Sequence, residues 1–202
     1  NRSSRGVAAR GRAALGLLLR EPRLGAPVER RLVHELGLAL AVDLLNNFKN
    51  PFNGDKIFMT PENDMKLQLD LNSDVAMCLD SMPLIEHSKT AIKEAIRKTT
   101  LWAGRCKKEH DQLQKGIGKD KRQLLFGICQ GGIHKDLRKI STKQLFELDF
   151  DGYSIGGLGL GETRKQEQEI IKLTKKIVSE KKPVYLMCVG KPVEILEAIS
   201  LG

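Results

Sequence analysis

Residues 124–157 read LLFGICQGGIHKDLRKISTKQLFELDFDGYSIGG. The stretch opens with an apolar run, residues 124–130, that ends on Gln130. Gly131 and Gly132 break the run, a helical pattern covers residues 134–148, and a second apolar run, residues 153–157, closes on Gly156 and Gly157. Strand, helix and strand in this order join two parallel neighbours through a crossover helix. The alternation continues outward on both sides. Upstream, residues 74–80 (DVAMCLD) form a strand pattern, Met82 and Pro83 interrupt the chain, and a long helix is expected over about residues 89–114. There Ile92, Ala95, Ile96, Thr99, Trp102, Ala103 and Cys106 recur at helical spacing, so Trp102 reads as a core contact. Downstream, a helix over residues 163–181 leads to the strand pattern at 184–190 (VYLMCVG), and Pro192 opens a last helix reaching residue 201. Each apolar run ends in a residue capable of chemistry, and a (β/α) barrel builds its active site at the C-terminal ends of its strands. The expected fold is therefore α/β, a partial (β/α)8 TIM barrel of about half the barrel. Ala76, Leu79, Leu125, Ile128, Ile155 and Leu186 should lie in neighbouring parallel strands, with Asp80, Gln130, Gly157 and Met187 grouped at one end of them.

The 202 residues, 41% apolar and 29% charged, suffice for one core. No apolar run approaches the length of a membrane span, so no membrane partner is expected. A formal charge of +9 and a pI near 9.4 suit a polyanionic partner, because Lys and Arg displace counterions from nucleic acid. Charge alone does not separate RNA binding from ordinary basicity. Lys172, Lys175 and Lys176, opposite the stripe of Ile170, Ile171, Leu173, Thr174 and Ile177, read first as a solvated helix face. Residues 116–121 (GIGKDK) read as a charged loop. Cys78, Cys106, Cys129 and Cys188 are widely spaced with no Cys-x-x-Cys pair, which predicts reduced, mostly buried thiols in a cytoplasmic protein. His34, His87, His110 and His134 lack metal-ligand spacing as well, so no metal or cofactor is expected on this chain.

Composition also divides the chain. Up to Arg31 every basic residue is Arg, set among Ala, Gly, Leu and Val, whereas from Lys49 onward Lys dominates with Ile, Asn and Phe. Residues 1–49 are set apart as an unrelated or non-native segment, disordered or helical. An Arg-rich organelle-targeting segment is one reading; a misjoined gene fragment is the other, favoured by Glu21, Glu29, Glu35 and the lack of an initial Met. Residues 50–202 form the expected domain. Asn50, Pro51, Asn53 and Gly54 signal a turn, residues 56–59 a short strand, and Pro61 the first turn of a helix running to about residue 71.

Among the strand ends, Asp80 offers a carboxylate that accepts two hydrogen bonds side by side, and Gln130 offers an amide that donates and accepts at once. Gly131 and Gly132 let a ligand approach the backbone. Residues 156–162 (GGLGLGE) lack the Gly-x-x-x-x-Gly-Lys-Ser/Thr spacing, and Glu162 would repel a phosphate, so a nucleotide P-loop is not expected. Backbone recognition fits that loop better: the Gly157 N–H can donate and the Leu158 carbonyl can accept. Met187 carries a polarizable thioether suited to stacking on a flat ring, or to plain core packing.

Residues 126–132 (FGICQGG), 150–162 (FDGYSIGGLGLGE) and 185–192 (YLMCVGKP), in this order and spacing, closely resemble the queuine or bacterial-type tRNA-guanine transglycosylases. Residues 58–62 (FMTPE) and 73–80 (SDVAMCLD) fit the same family, so the resemblance runs from about Phe52 to Gly202. It implies a pentosyltransferase that replaces guanine at the wobble position of a tRNA anticodon with a 7-deazaguanine, either 7-aminomethyl-7-deazaguanine or queuine, in queuosine biosynthesis. On the resemblance, Asp80, Gln130 and the Gly131 backbone hold the base. The Gly157 N–H meets the purine carbonyl, the Leu158 carbonyl accepts from an amine on the incoming base, Glu162 stabilises that loop, and Met187 covers the face of the ring. Cys188 departs from the Gly usual in the family, which puts backbone access there in doubt.

The resemblance also implies what these residues lack. The family's nucleophilic Asp falls beyond Gly202, its Asp-Ser-Gly-Gly-Phe-Gln motif should precede Phe52 but has no counterpart there, and its structural zinc belongs to a Cys-rich segment further downstream. No catalytic residue is therefore assigned, zinc is expected only in the full-length enzyme, and the chain alone is expected to be inactive. The implied partners are tRNA, a deazaguanine base and, at full length, a second subunit in a homodimer or heterodimer. Two other readings stand beside this one. A non-catalytic partner subunit would not need Asp80, Gln130 and Gly157 together; an unrelated barrel enzyme acting on a phosphorylated metabolite would bind phosphate at residues 157–161. Met82 and Leu160 should fill the space a cyclopentenediol needs, which favours 7-aminomethyl-7-deazaguanine over queuine.

Overall fold

The computed structural model describes residues 59–202 except 85, 119, 120 and 179, together with the backbone of two strand pieces, β1 (Phe48–Lys49) and β2 (Lys56–Ile57), which pair antiparallel. Apart from these pieces, the segment set apart at residues 1–49 and the turn expected at 50–54 lie outside the described residues.

Helix α1 (Pro61–Asp70) begins where Pro61 fixes a first-turn φ, and the Thr60 Oγ1 caps it by accepting from the Asn63 N–H at 3.1 Å. Strand β3 (Val75–Met77) follows, then α2 (Lys89–Leu113), β4 (Leu124–Cys129), α3 (Lys135–Phe146), β5 (Gly152–Ile155), α4 (Arg164–Lys175), β6 (Val184–Leu186) and α5 (Pro192–Ser200). The four longer-range strands form one parallel sheet in the order β3-β4-β5-β6, with Met77 opposite Phe126, Phe126 opposite Gly152 and Tyr153 opposite Val184. Strand-helix alternation with sequential parallel pairing is the architecture of part of a (β/α) barrel.

Strands β3 and β6 and helix α4 are each clearly shorter than the sequence suggests, β6 stopping at Leu186. Strand β3 stops at Met77 because its continuation is captured by α2: the Leu79 N–H meets the Cys106 Sγ at 3.4 Å and the Ser81 N–H meets the Thr99 Oγ1 at 2.9 Å. Helix α4 ends at Lys175, and the Ile177 and Val178 amides both turn back to the Thr174 carbonyl, which carries Val178 into the main core.

Strands β4 and β5 are buried almost throughout. Ala76, Leu125, Phe150 and Tyr153 pack there with Met65, Ala103 and Leu145 from the helices, and Trp102 lies against this cluster, half-buried. Each large apolar side chain so placed contributes about 1.5–3 kcal/mol. Gly127 is required by this packing, since a Cβ there would meet the Phe150 ring at 2.6 Å. A second cluster, Ile155, Leu158, Ile170 and Ile171, fills the space between β5 and α4.

Candidate functional site

Asp80, three residues past β3, and Gln130, directly after β4, meet at the C-terminal end of the sheet. The Gln130 Nε2 donates to the Asp80 Oδ2. Gln130 is fully buried, its own N–H is held by the Ser141 Oγ at 2.9 Å, and its Oε1 has no partner among the described residues. The β5 loop lies directly against this amide. A Cβ on Gly156 would fall 2.8 Å from the Gln130 Nε2, and one on Gly157 would fall 2.8 Å from the Oε1. Gly157 also has φ +67° and Gly131 φ +127°, conformations that glycine adopts at little cost.

Burial pushes the Asp80 carboxyl up to about 7, against the opposing bond from Gln130. A second carboxyl lies close by. Asp64 on α1 is fully buried and likewise pushed up to about 7, first by burial and further by the charge of Asp80, while the Gln68 Nε2 bond at 3.1 Å opposes the rise. Near neutral pH each of these groups can exchange a proton, which is the condition for acid-base work and for a carboxyl that changes state when a ligand arrives.

Glu162 folds back on its own loop, accepting from the Gly159 N–H at 2.5 Å and the Leu160 N–H at 3.0 Å. The Leu158 side chain is in the core, so that residue offers a ligand only its backbone. Met187 follows β6, half-buried, its N–H donating to the Ile155 carbonyl at 3.2 Å. Next to it Cys188 sits at φ +63°, a conformation that costs a non-glycine residue about 1 kcal/mol or more. Burial raises its thiol, with the charges of Asp80 and Glu162 adding to the rise, and its carbonyl would lie 3.0 Å from a Cβ on Gly159. The sequence-predicted residues thus follow the C-terminal ends of the strands: Gln130 is bonded to Asp80 and lies against Gly157, whereas Glu162 is bonded within its own loop, Met187 to the backbone of β5, and the Leu158 side chain packs in the core.

The structure adds Arg138, which sequence reasoning did not single out. Its side chain is fully buried and its guanidinium donates to three main-chain carbonyls: Cys129 at 2.5 Å, Gly132 at 2.9 Å and Gly156 at 2.9 Å. These bonds tie the loops after β4 and β5 together. A signal was present: Leu137, Arg138, Ser141, Thr142 and Leu145 are the core-facing positions of α3, and a charged residue inside that stripe needs a reason.

Against this geometry, a family model described as queuine tRNA-ribosyltransferase matches residues 39–202. The chain belongs to the queuine tRNA-ribosyltransferase family. Its curated relatives of that name include one from Tolumonas auensis, 39% identical over 77% of this chain and 40% of the relative, and one from Staphylococcus epidermidis, 41% identical over 77% of this chain and 39% of the relative. The chain therefore spans about 40% of the length of the relatives it matches. The family match starts inside the segment that composition set apart.

Among the described residues no group of three or more His, Cys, Asp or Glu side chains is arranged to hold a metal ion. Cys78 and Cys129 are buried thiols raised above their ordinary range, first by desolvation, which suits packing and not coordination. No helix among the described residues is long and apolar enough to cross a membrane.

Proposed function

We propose that this chain supplies the base-recognition groups for tRNA-guanine transglycosylation: exchange of guanine at the anticodon wobble position for a 7-deazaguanine. The observation that carries the reading is the Asp80–Gln130 pair with Gly157 against it. Asp80 and Gln130 are bonded to one another, and among the described residues the Gln130 Oε1 is buried without a partner. A guanine edge, with adjacent N–H and amine donors beside a carbonyl, matches these groups: the donors go to the Asp80 carboxylate, and the carbonyl accepts from the released Gln130 Nε2 and the Gly157 N–H. Glu162 and the Leu158 carbonyl favour an ammonium on the incoming base, and Met187 covers the ring.

Met82 and Leu160 support 7-aminomethyl-7-deazaguanine over queuine as that base. No nucleophile is assigned within the chain, and catalysis of the exchange is placed with the longer enzyme, together with its tRNA contacts, its zinc and its pairing as a homodimer or heterodimer. The functional unit is residues 50–202, and a cytoplasmic location agrees with four free cysteines. Calorimetry with guanine tests the reading directly: micromolar to millimolar binding that weakens about thirtyfold in Asp80→Asn supports it, and no binding by the wild type rejects base recognition in favour of a non-catalytic partner subunit. Incubation with radiolabelled guanine and tRNA tests the rest, since incorporation by the 202-residue chain would overturn the absence of a nucleophile.

A further inference from the structure

Arg138 is a cation in an unusual setting. It is fully buried, its three bonds all end on main-chain carbonyls, and its Nε has no partner among the described residues. Burial holds its pKa down to about 10, so it stays charged at neutral pH. Placing an unpaired guanidinium in a core costs several kcal/mol unless dipoles replace the water it loses. Ordinary apolar packing of α3 against β4 would avoid that cost altogether.

One of the three carbonyls explains the arrangement. Gly156 C=O and Gly157 N–H belong to the same peptide unit, and among the described residues no peptide bond is cis, so the two groups point to opposite sides of the backbone. Arg138 Nη2 pulls on the carbonyl from the core side at 2.9 Å. A charge-assisted bond to a carbonyl polarises the whole amide and makes its N–H a stronger donor. Glu162 takes the Gly159 and Leu160 amides of the same loop, and the Gly157 amide is not part of that pair.

We propose that Arg138 is a positioning residue that acts through the Gly156–Gly157 peptide: its guanidinium fixes that peptide and strengthens the Gly157 N–H as the donor that selects a base bearing a carbonyl. The inference deepens the base-recognition reading and rests on it for the identity of the ligand. Preorganised donors of this kind act most where water is excluded and no reorientation is needed when the ligand arrives. The same bond explains why Arg138 also anchors Gly132 and Cys129: the β4 and β5 loops are locked to one cation, so the base edge meets a fixed pattern.

The test compares guanine with 6-thioguanine, which keeps the N–H and amine but replaces the carbonyl oxygen with sulfur, a weak acceptor. In the wild-type chain guanine should bind the tighter of the two. Arg138→Met should weaken guanine about tenfold, leave 6-thioguanine within twofold, and move the Gly157 ¹⁵N and ¹H resonances upfield in the free protein. Equal weakening of both bases would mean that Arg138 only props the loops, and that outcome overturns the proposal, as does no change in either. If Arg138→Met does not fold, Arg138→Lys keeps the charge but on a single nitrogen, without the planar fork that reaches three carbonyls, and should lie between the two in guanine preference. If neither variant folds, the wild type decides: a through-hydrogen-bond coupling between Arg138 Nη2 and the Gly156 carbonyl carbon is expected, and its absence rejects the proposal. The resonance measurements need no ligand, so a wild type that binds neither base sinks the base-recognition reading while the polarised peptide is still judged on its own.

Discussion

The two edges of the parallel sheet deliver comparable groups to the site and are built in opposite ways. Strand β3, which brings Asp80, has its outer side closed by a side chain: the Gln68 Oε1 accepts from the Met77 N–H and the Gln68 Nε2 donates to the Met77 carbonyl, both at 2.8 Å. The amide of one glutamine thus takes the place of a neighbouring strand, bonding the N–H and C=O that face away from β4. Strand β6, which brings Met187, is half-exposed along its length, and α5 beside it has no buried residue, with Val193, Leu196 and Ile199 each more than 60% exposed. An edge whose backbone is bonded holds its loop at fixed geometry, whereas an edge resting on partial apolar cover does not. Among the described residues, Asp80 thus follows a strand whose outer backbone is bonded, and Met187 one that is half-exposed.

The sharpest way to break this contrast is Gln68→Leu. It leaves the part-buried Met77 N–H and carbonyl without that partner and takes the hydrogen bond from the buried Asp64; a buried group orphaned in this way costs about 1–3 kcal/mol and a part-buried one less. A loss of about 3–5 kcal/mol in urea unfolding is expected. Leu196→Ser on the other edge should change stability by less than about 0.5 kcal/mol, since that side chain is 69% exposed. Similar losses from the two variants would show that the edges do not differ.

Titration sharpens the same comparison with a smaller effect. Asp64 has its folded pKa raised to about 7, so the folded chain holds the proton more tightly than the unfolded one, and the stability it contributes is present below about pH 4 and lost as pH rises to about 7. The neighbours that bear on it are Asp80, of the same sign, Cys78, and the Gln68 amide. His110 runs the other way: burial lowers it, so its contribution is present above the unfolded value of 6.5 and lost as pH falls. Subtracting variant from wild type isolates Asp64. The unfolding free energy of Asp64→Asn relative to wild type should rise by roughly 2–4 kcal/mol between pH 4.5 and pH 8; a flat difference would remove Asp64 from the account. The β6 edge has no counterpart, because the groups that burial raises there, Tyr185 and Cys188, start from 10 and 9.

These differences also mark what the sequence made readable. Strand ends were legible because an apolar run that stops on Asp80 or Gln130 has a period and a boundary, and the helices because stripes such as Ile92, Ile96 and Ala103 recur at helical spacing. Gln68 and Asp64 were not legible, and Arg138 only as a charge inside the core-facing stripe of α3, since each gains its meaning from a partner in another element. Arg138 depends on carbonyls of Cys129 and Gly156, Gln68 on the backbone of Met77, and a main-chain group has no sequence signature. The length of β3 failed for the same reason: capture of Leu79 and Ser81 by side chains of α2 is a tertiary event that no local propensity contains.

Base binding tests the contrast at the site itself. Asp80→Asn exchanges a charged acceptor for a neutral amide and should weaken guanine by about 2 kcal/mol, near thirtyfold. Wild-type affinity should also increase as pH rises through about 7, where Asp80 ionises, and the variant should lose that dependence. A variant that binds guanine as well as wild type at pH 8 would remove Asp80 from recognition.

Met187→Ala is the mildest change and the most informative about the open edge. A thioether lying on a ring contributes about 0.3–1.5 kcal/mol, and a side chain that must be ordered on binding gives part of that back as lost rotamer freedom. Because β6 leaves Met187 half-buried, guanine affinity should fall by no more than about 1 kcal/mol, with no change in its pH dependence, while the stability of the free chain stays within about 0.5 kcal/mol. If truncation instead costs as much as Asp80→Asn, the β6 end is as preorganised as the β3 end, and the half-exposed strand is held by something other than the contacts of Ile155, Val184 and Leu186.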